Sequence, residues 1–285
     1  MPSLIDIRRR IRSVKNTQQI TKAMKMVSAA KLRRAQDRVI AARPYGSVLR
    51  KVLANVAAGA AGDEQAAENP LLARRPEQKI LLVLVTSDKG LAGAFNSNLI
   101  KAAQRFIAVH SEAAVSLELI GRKGRDFFRK RHARITGDQL NPAKPTYQET
   151  AAIARKAMDL YRTAEVDSVY LLYNEFKSVV AQQLTVTRVL PVEMPEGAEP
   201  VDYIFEEPPG AMLNQLLPRY VETEFYRALL ESTAAEHAAR MTAMDAATSN
   251  ASDMIDKLTL YMNRVRQASI TKEIIEVVSG AAAAE

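Results

Sequence analysis

The chain of 285 residues contains neither cysteine nor tryptophan. Without cysteine it forms no disulfide, offers no thiolate to a metal and has no thiol switch, which fits a reducing compartment. Its only histidines are His110, His132 and His237, and no two of them have the spacing of the HExxH zinc motif. The sequence therefore predicts no metal centre and no thiol regulation.

Long hydrophobic runs are also missing. The longest strongly apolar stretch is Ile80–Val85, which is the length of a strand and far short of a membrane span. The first ten residues, MPSLIDIRRR, have no apolar stretch after their basic residues, so they do not resemble a secretory signal. We expect no membrane-spanning segment, and we expect a partner to hold the chain wherever it works at a membrane.

Positive charge is concentrated at one end of the chain. The net charge is +8, yet the segment from Met1 to Arg43 alone carries twelve Lys or Arg and two acids, a net +10, so the remainder is slightly acidic. Such a block usually contacts nucleic acid, anionic lipid or an acidic protein surface, and otherwise it is a solvated helix face. Composition alone leaves these alternatives open.

The sequence pattern changes twice, and it predicts three parts: 1–59, 60–209 and 210–285. The first part is rich in Ala, Lys, Arg, Gln and Met, which favours a long helix. Pro44 is expected to kink or interrupt that helix. Two short apolar stripes on slightly rotated faces indicate different neighbours along its length. The stripes are Ile7, Ile11 and Val14, and Ile20, Met24 and Val27.

The middle part alternates between strand-like and helix-like segments, which is typical of a small α/β domain with a partly parallel sheet. The predicted strands are Lys79–Thr86, Ser116–Ile120, Ser168–Phe176 and Gln182–Leu190, with one more short strand at Asp202–Phe205, and the predicted helices are Asn98–His110, Arg125–Arg131 and Thr146–Ala164.

The last part has no Gly or Pro between Pro218 and Val278, which predicts a helix of about 60 residues and roughly 90 Å. Small and apolar residues recur at steps of three and four, as in a weak coiled-coil seam that needs a partner helix. The segment from Tyr220 onward carries a net charge of −4, which complements the basic first part. The seam residues are Met241, Met244, Thr248, Ala251, Ile255, Leu258, Met262, Val265 and Ser269.

These patterns together predict an α/β fold class in which a long antiparallel coiled coil of the N- and C-terminal helices carries an inserted small α/β (Rossmann-like) domain. The loop Ser87–Gly93 follows a strand and contains two glycines, so it superficially suggests a phosphate cradle. It matches neither GxxxxGK[ST] nor GxGxxG, and a structural turn is the favoured interpretation. No nucleophile, base and orienting group occur in a motif context, so we expect no catalytic residue and no cofactor.

Three segments carry a specific family resemblance. Asn16–Val27 (NTQQITKAMKMV), which is followed by Ala30-Lys31-Leu32 and Arg43-Pro44-Tyr45, resembles the N-terminal helix of the gamma subunits of F-type ATP synthases. Ser87–Asn96 (SDKGLAGAFN) resembles the loop after the first strand in that family, and Arg264–Ala281 (RVRQASITKEIIEVVSGA) is similar to its C-terminal segment. All three occur in the family's order.

The resemblance implies a non-catalytic rotating shaft of the central stalk inside a ring of alternating alpha and beta subunits. Such a shaft couples the membrane rotor ring of c subunits to ATP synthesis or hydrolysis on the beta subunits, regulates ATPase activity, and contacts the epsilon subunit. We expect a peripheral position on the cytoplasmic face of the bacterial inner membrane. The Met start without an Arg- and Ser-rich leader favours a bacterial protein, and no cysteine-containing chloroplast insertion is present.

The resemblance also implies contact residues. Arg266 and Gln267 match a pair that touches a beta-subunit loop, while Met24 and Arg240 match positions near the acidic beta-subunit lever and the shaft's own helix contact. The alternative is that these four residues are ordinary helix-surface or seam residues with no role in subunit contacts. Tyr203 and Phe205 lie in the segment that resembles the foot on the rotor ring, with burial in the α/β core as the alternative.

The competing function is that of a basic helical nucleic-acid-binding protein with an α/β module. Proteins that bind single strands stack bases on aromatic side chains, and Tyr45 is the only aromatic residue among the first 50. With the family resemblance, an acidic protein surface is the favoured partner of the basic segment, and we expect no nucleic acid.

Overall fold

The computed structural model describes residues 3–60, 63, 68–131, 134–142, 144–193 and 207–282. Its contacts divide the chain into two compact units, Met1–Ser28 with Met241–Glu285 (the coil unit) and Ala29–Arg240 (the sheet unit). The elements in chain order are α1 (Leu4–Gly59), β1 (Lys79–Val85), α2 (Phe95–Val109), β2 (Ala114–Ile120), α3 (Arg122–Arg129), β3 (Ile135–Gln139), α4 (Tyr147–Arg162), β4 (Ser168–Phe176), β5 (Gln182–Leu190) and α5 (Pro209–Ala282).

In the coil unit, α1 and α5 run antiparallel. The Oγ1 atoms of Thr21 and Thr248 lie 2.8 Å apart, and Lys25 Nζ lies 2.6 Å from Asp245 Oδ1. The residue number of the partner on α5 therefore falls as the residue number on α1 rises. Every residue of the predicted seam from Met241 to Ser269 is buried or partly buried. The predicted coiled-coil seam is therefore confirmed.

The second apolar stripe of α1 is largely exposed within this chain, so the separate neighbour expected for it stays a prediction. Ile20 and Val27 are 60% and 55% exposed, and neither packs inside the chain. The buried row that begins at Ile7 continues at steps of three and four. Because of this heptad spacing, the buried positions after Val14 are polar residues and not Ile20 and Val27 of the second stripe. Those buried or partly buried residues are Ile11, Val14, Gln18, Thr21, Lys25 and Ser28.

The sheet unit contains a five-stranded sheet in the order β3-β2-β1-β4-β5. The first four strands are parallel, and the edge strand β5 is antiparallel to β4. In the central strand β1, every residue after Lys79 is buried, because a strand covered on both faces reads as one continuous apolar run. Strand β3 was not predicted, since ITGDQ has one apolar residue and forms a strand only beside β2.

Pro44 does not interrupt α1, so an interruption there is the wrong expectation, and a kink at Pro44 stays a prediction. The helix continues to Gly59, and its last turns place Leu53 and Val56 in the main apolar core together with Phe225 of α5. Burying one such side chain stabilises by about 1.5–3 kcal/mol, and a proline inside a helix costs about 3 kcal/mol. Several buried side chains together therefore outweigh the proline.

Helix α5 carries buried or nearly buried carboxylates into the sheet unit, and each has a cationic partner. Arg43 and Arg50 of α1 meet two of them, which confirms the expected pairing of basic α1 with acidic α5. Removing one member of a buried pair typically costs about 3–5 kcal/mol. The pairs are Glu222–Arg155 at 2.6 Å, Glu224–Arg50 at 3.0 Å, Glu231–Arg43 at 3.5 Å and Glu236–Arg240 at 2.8 Å.

His237 follows this row on α5 and is only 7% exposed. Burial is the main cause that lowers its pKa from 6.5 to about 4, and the nearby charges of Arg240 and Lys31 lower it further. The ring is therefore neutral in the folded chain at pH 7.

We expect the sheet unit to lose stability as pH falls from 6.5 towards 4. The unfolded chain binds a proton at His237 near pH 6.5, whereas the folded chain resists protonation until about pH 4. Between pH 7.5 and pH 5 this residue alone lowers the free energy of unfolding by about 2 kcal/mol. Urea titrations at both pH values measure the loss, and in His237→Gln the loss should shrink by that amount. An equal loss in both chains would contradict the assignment to His237.

Candidate functional site

The carboxyl edge of the sheet is the first candidate site, because open parallel sheets bind ligands where the strand order reverses. Here the chain proceeds from β1 to β2 and β3 on one side, and β4 pairs with β1 on the other. The reversal therefore lies between the carboxyl ends of β1 and β4, beside the loop that the sequence singled out as a possible phosphate cradle.

That loop is tied to its own chain by hydrogen bonds. Ser87 N–H donates to Asn96 Oδ1 at 3.0 Å, and the Ser87 hydroxyl donates to the carbonyl of Lys89 at 2.7 Å. Asp88 Oδ1 accepts from the backbone N–H of Arg122 at 2.8 Å and of Asn141 at 3.2 Å.

The position of Asp88 is important because Arg122 is the first residue of α3. Backbone N–H groups and the helix dipole make the start of a helix the usual place for a phosphate. In this chain a carboxylate of the chain itself accepts from that N–H group. This contact supports the interpretation of Ser87–Gly93 as a structural turn.

Helix α5 covers the same edge. Glu231 Oε2 accepts from Phe176 N–H at the end of β4, at 3.0 Å. Two turns further along, the guanidinium of Arg240 donates to the carbonyls of Lys89 and Gly90 at 3.2 and 3.3 Å, in the loop after β1. The crevice between the ends of β1 and β4 therefore holds a helix of this chain.

Arg240 belongs to this edge. It is 8% exposed and forms an ion pair with Glu236 at 2.8 Å in addition to its loop contacts. Burial raises the pKa of the Glu236 carboxyl, while the charge of Arg240 opposes that rise. Arg240 thus anchors α5 to the loop after β1, and its predicted contact with another subunit stays a prediction.

Met24, Arg266 and Gln267 lie in the coil unit. Met24 is partly buried on α1, beside Lys25, whose partner is Asp245. Arg266 and Gln267 are exposed on α5, about 20 residues or roughly 30 Å of helix beyond that level. The structure therefore does not bring Met24 together with the Arg266–Gln267 pair. Tyr203 and Phe205 lie outside the described residues.

The outer surface of the coil unit is the second candidate site. It carries exposed cations on the first turns of α1 and exposed apolar side chains on both helices. Contiguous exposed apolar surface usually marks a protein interface. Every described residue from Ile270 to Ser279 is exposed. The exposed apolar residues of the coil unit are Ile5, Ile20, Met26, Val27, Met254, Leu260, Tyr261, Ile270, Ile274, Ile275, Val277 and Val278.

Sequence reasoning missed the roles of Asp88, Asn96 and Asn141. The segment Ser87–Asn96 contains Asp88 and Asn96 but does not indicate what their side chains bind, and Asn141 belongs to no motif. Asp88 and Asn141 are 53 positions apart and meet only through the sheet. Membership of the SDKGLAGAFN segment was a signal for Asp88 and Asn96, whereas Asn141 had none.

Comparisons with known proteins bear on both candidate sites. The family model described as ATP synthase matches residues 3–284. The ATP synthase gamma chain of Solibacter usitatus is 77% identical over all of both chains. The gamma chains of Anaeromyxobacter sp. Fw109-5 and Pelotomaculum thermopropionicum are each 51% identical, covering 99% and 100% of this chain and the same shares of their own.

Solved structures are similar as well. A chain of the central stalk and c-ring of the Tetrahymena thermophila mitochondrial ATP synthase matches with a TM-score of 0.62 and 27% identity, covering 80% of this chain and 99% of its own. A chain of the Euglena gracilis mitochondrial ATP synthase rotor has a TM-score of 0.66 at 19% identity, covering 94% and 98%, and shows the shared fold.

Among the described residues, no helix is both long and apolar enough to cross a bilayer. The comparisons give no support to the nucleic-acid-binding alternative. A family model that spans nearly the whole chain and full-length relatives at 77% and 51% identity lead to one assignment. The chain belongs to the ATP synthase family and, within it, to the gamma chains.

Proposed function

We propose that this chain is the non-catalytic rotating subunit of the central stalk of a bacterial F-type ATP synthase. It couples turning of the proton-driven rotor ring to ATP synthesis or hydrolysis on the beta subunits, and it regulates ATPase activity. The observation that carries the proposal is the coil unit, whose two helices come from opposite ends of the chain and expose apolar side chains on their outer surface.

The seam of the coil suits a slender shaft. Thr248, Ala251 and Ser269 occupy positions where Leu or Ile would give a stronger and wider coil. Polar contacts, such as the one between Thr21 and Thr248, fix the register of the two helices instead. A narrow coil of this kind fits within a surrounding ring, and its exposed apolar residues contact that ring.

The sheet unit supplies a rigid mount rather than a chemical site. Its α5 segment is held by the ion pair of Glu231 with Arg43 of α1 and by the contacts of Arg240 with the loop after β1. The helices α1 and α5 each contribute residues to both units, so a torque applied to one unit reaches the other along two covalent helices.

The partners in this proposal are the alpha and beta subunits around the coil, the epsilon subunit, and the c subunits of the rotor ring, with the complex on the cytoplasmic face of the inner membrane. Tyr203 and Phe205 form the foot on the rotor ring. The sequence division into 1–59, 60–209 and 210–285 separates the two long helices from the insertion. The parts of α1 and α5 in the coil unit form the shaft, and their parts in the sheet unit belong with 60–209 to the mount. Met24, Arg240, Arg266 and Gln267 face or support the beta subunits.

Co-expression with alpha, beta and epsilon subunits tests the proposal. We expect the four chains to remain together through size-exclusion chromatography. Ile20→Ser/Val27→Ser should weaken assembly at least tenfold, since each exposed side chain contributes about 1.5–3 kcal/mol when buried. The matched control is Val109→Ser/Val180→Ser, which changes two residues of the sheet unit that are 79% and 85% exposed. Equal assembly of both variants would contradict a coil enclosed by the ring.

The pair Arg266 and Gln267 should control the rate of the assembled complex. Arg forms bidentate, charge-assisted contacts and Gln both donates and accepts, so each contact contributes about 1.5–3 kcal/mol to the balance between shaft orientations. Arg266→Ala/Gln267→Ala should leave the complex assembled and slow steady-state ATP hydrolysis roughly tenfold or more. The control is Lys257→Ala, which removes another exposed cation from the same helix. If Arg266→Ala/Gln267→Ala hydrolysed ATP at the same rate as Lys257→Ala, the pair would make no contact that affects the rate.

Met24→Lys should reduce coupling more than hydrolysis. A new cation opposite an acidic beta-subunit loop adds an attraction that each rotational step must break. ATP-driven proton pumping and ATP hydrolysis, measured together in reconstituted membranes, give the ratio that should fall. Ala23→Lys adds the same charge to the neighbouring exposed position and should leave the ratio unchanged. A fall of equal size in both variants would show a general charge effect.

A further inference from the structure

A small cavity of about 110 Å³ lies within the sheet unit between α1, α5 and the segment before α4. On α1, the lining residues follow the three- and four-residue steps of one helix face, and those of α5 do the same. The lining residues are Lys31, Arg34, Ala35 and Arg38 of α1, Lys144 and Pro145, and Leu230, Thr233 and His237 of α5.

The lining contains four cationic side chains and no carboxylate. Among the ion pairs that the described residues form, none includes these four cations. The two acids that adjoin the α5 lining residues have other cationic partners: Glu231 pairs with Arg43 at 3.5 Å, and Glu236 with Arg240 at 2.8 Å. The charge of Lys31 lowers the pKa of both Glu236 and His237, so Lys31 lies close enough to α5 to affect its side chains.

Like charges three and four positions apart destabilise a helix, and Lys31, Arg34 and Arg38 repel one another in this way. Lys144 adds a fourth positive charge from a different segment. The cations therefore lie on two separate parts of the chain, brought to one cavity by the packing of α1 and α5. A bound anion relieves this repulsion.

His237 contributes a neutral donor. Its Nδ1 lies 3.5 Å from Nη1 of Arg240, and because a guanidinium only donates, Nδ1 is the acceptor. The ring proton therefore resides on Nε2. The same surroundings lower the pKa of His237, so the ring keeps this tautomer at neutral pH instead of adding a further charge.

The size of the cavity restricts the ligand. A water molecule takes up about 30 Å³ of the liquid, so the cavity corresponds to roughly four waters. Pockets for drug-sized ligands measure about 300–1,000 Å³, which excludes a whole nucleotide. Arg34 and Arg38 both line the cavity, and a guanidinium group suits bidentate contacts with phosphate oxygens.

We propose that this cavity binds one tetrahedral oxyanion, either inorganic phosphate or the terminal phosphoryl group of a nucleotide whose remainder stays outside. The site goes beyond the shaft function and does not depend on rotation. Lys31, Arg34, Arg38 and Lys144 neutralise the anion, and the Nε2–H group of His237 adds a directed hydrogen bond.

The test is calorimetric titration of the full chain with inorganic phosphate at constant ionic strength. Arg34→Gln/Arg38→Gln should weaken phosphate binding at least tenfold. The matched control, Arg33→Gln/Lys51→Gln, removes two exposed α1 cations that do not line the cavity, and it should change binding less than twofold. Circular dichroism verifies that both variants are folded. Equal weakening in both, or no phosphate binding by the unchanged chain, would overturn the proposal.

A second readout reports on the cavity itself. In NMR spectra with ¹⁵N-labelled histidine, phosphate should shift the side-chain signals of His237 and leave those of His110 unchanged. Shifts of equal size at both rings would indicate general screening and would count against a site.

Four competitors identify the source of the anion. Sulfate should displace phosphate, whereas chloride at the same ionic strength should not, and displacement by chloride would overturn the proposal. Tighter binding of ADP than of phosphate would support the site with a nucleotide as the source. A polyglutamate peptide that binds through the same arginines, with no saturable phosphate binding, would overturn it in favour of an acidic protein surface.

Discussion

The structure depends on the antiparallel packing of α1 against α5. A long helix with a narrow stripe of apolar and small residues is marginal in water, and it persists only when another helix covers that stripe. In this chain the covering helix comes from the opposite end of the sequence, as the contacts Thr21–Thr248 and Arg50–Glu224 show at two levels. The segment between the two helices, which contains all five strands, is consequently an insertion between two paired helices.

The same packing explains why the edge of the sheet at which such folds usually bind ligands is covered by a helix of this chain. The strand order of the sheet creates a crevice beside β1 and β4, and α5 enters that crevice with Glu231 and Arg240. Asp88 satisfies the start of α3 in the way a phosphate otherwise does. The Ser87, Asp88 and Arg240 side chains of this edge are paired within the chain, so the edge joins the helix to the sheet.

In the coil unit, by contrast, many apolar side chains are not buried within the chain. Its seam is thin, its α1 row turns polar after Val14, and apolar side chains such as Ile20 and Leu260 are exposed. A free-standing coil would bury those residues in its own seam. Under the proposed function this exposure has a use, because a surrounding ring supplies the contacts that the two helices do not make with each other.

The sequence by itself determined the elements whose signal is periodic. Steps of three and four specified the α5 seam, and continuous apolar runs specified β1 and β4, because these patterns depend on neighbours along the chain. The motifs at both ends assigned the family and suggested Met24, Arg240, Arg266 and Gln267. Only the tertiary structure decided the path of α1 through Pro44, strand β3 and the partners of Arg240. Each of these depends on groups far apart in sequence, and their packing energies outweigh the local propensities that sequence reasoning uses.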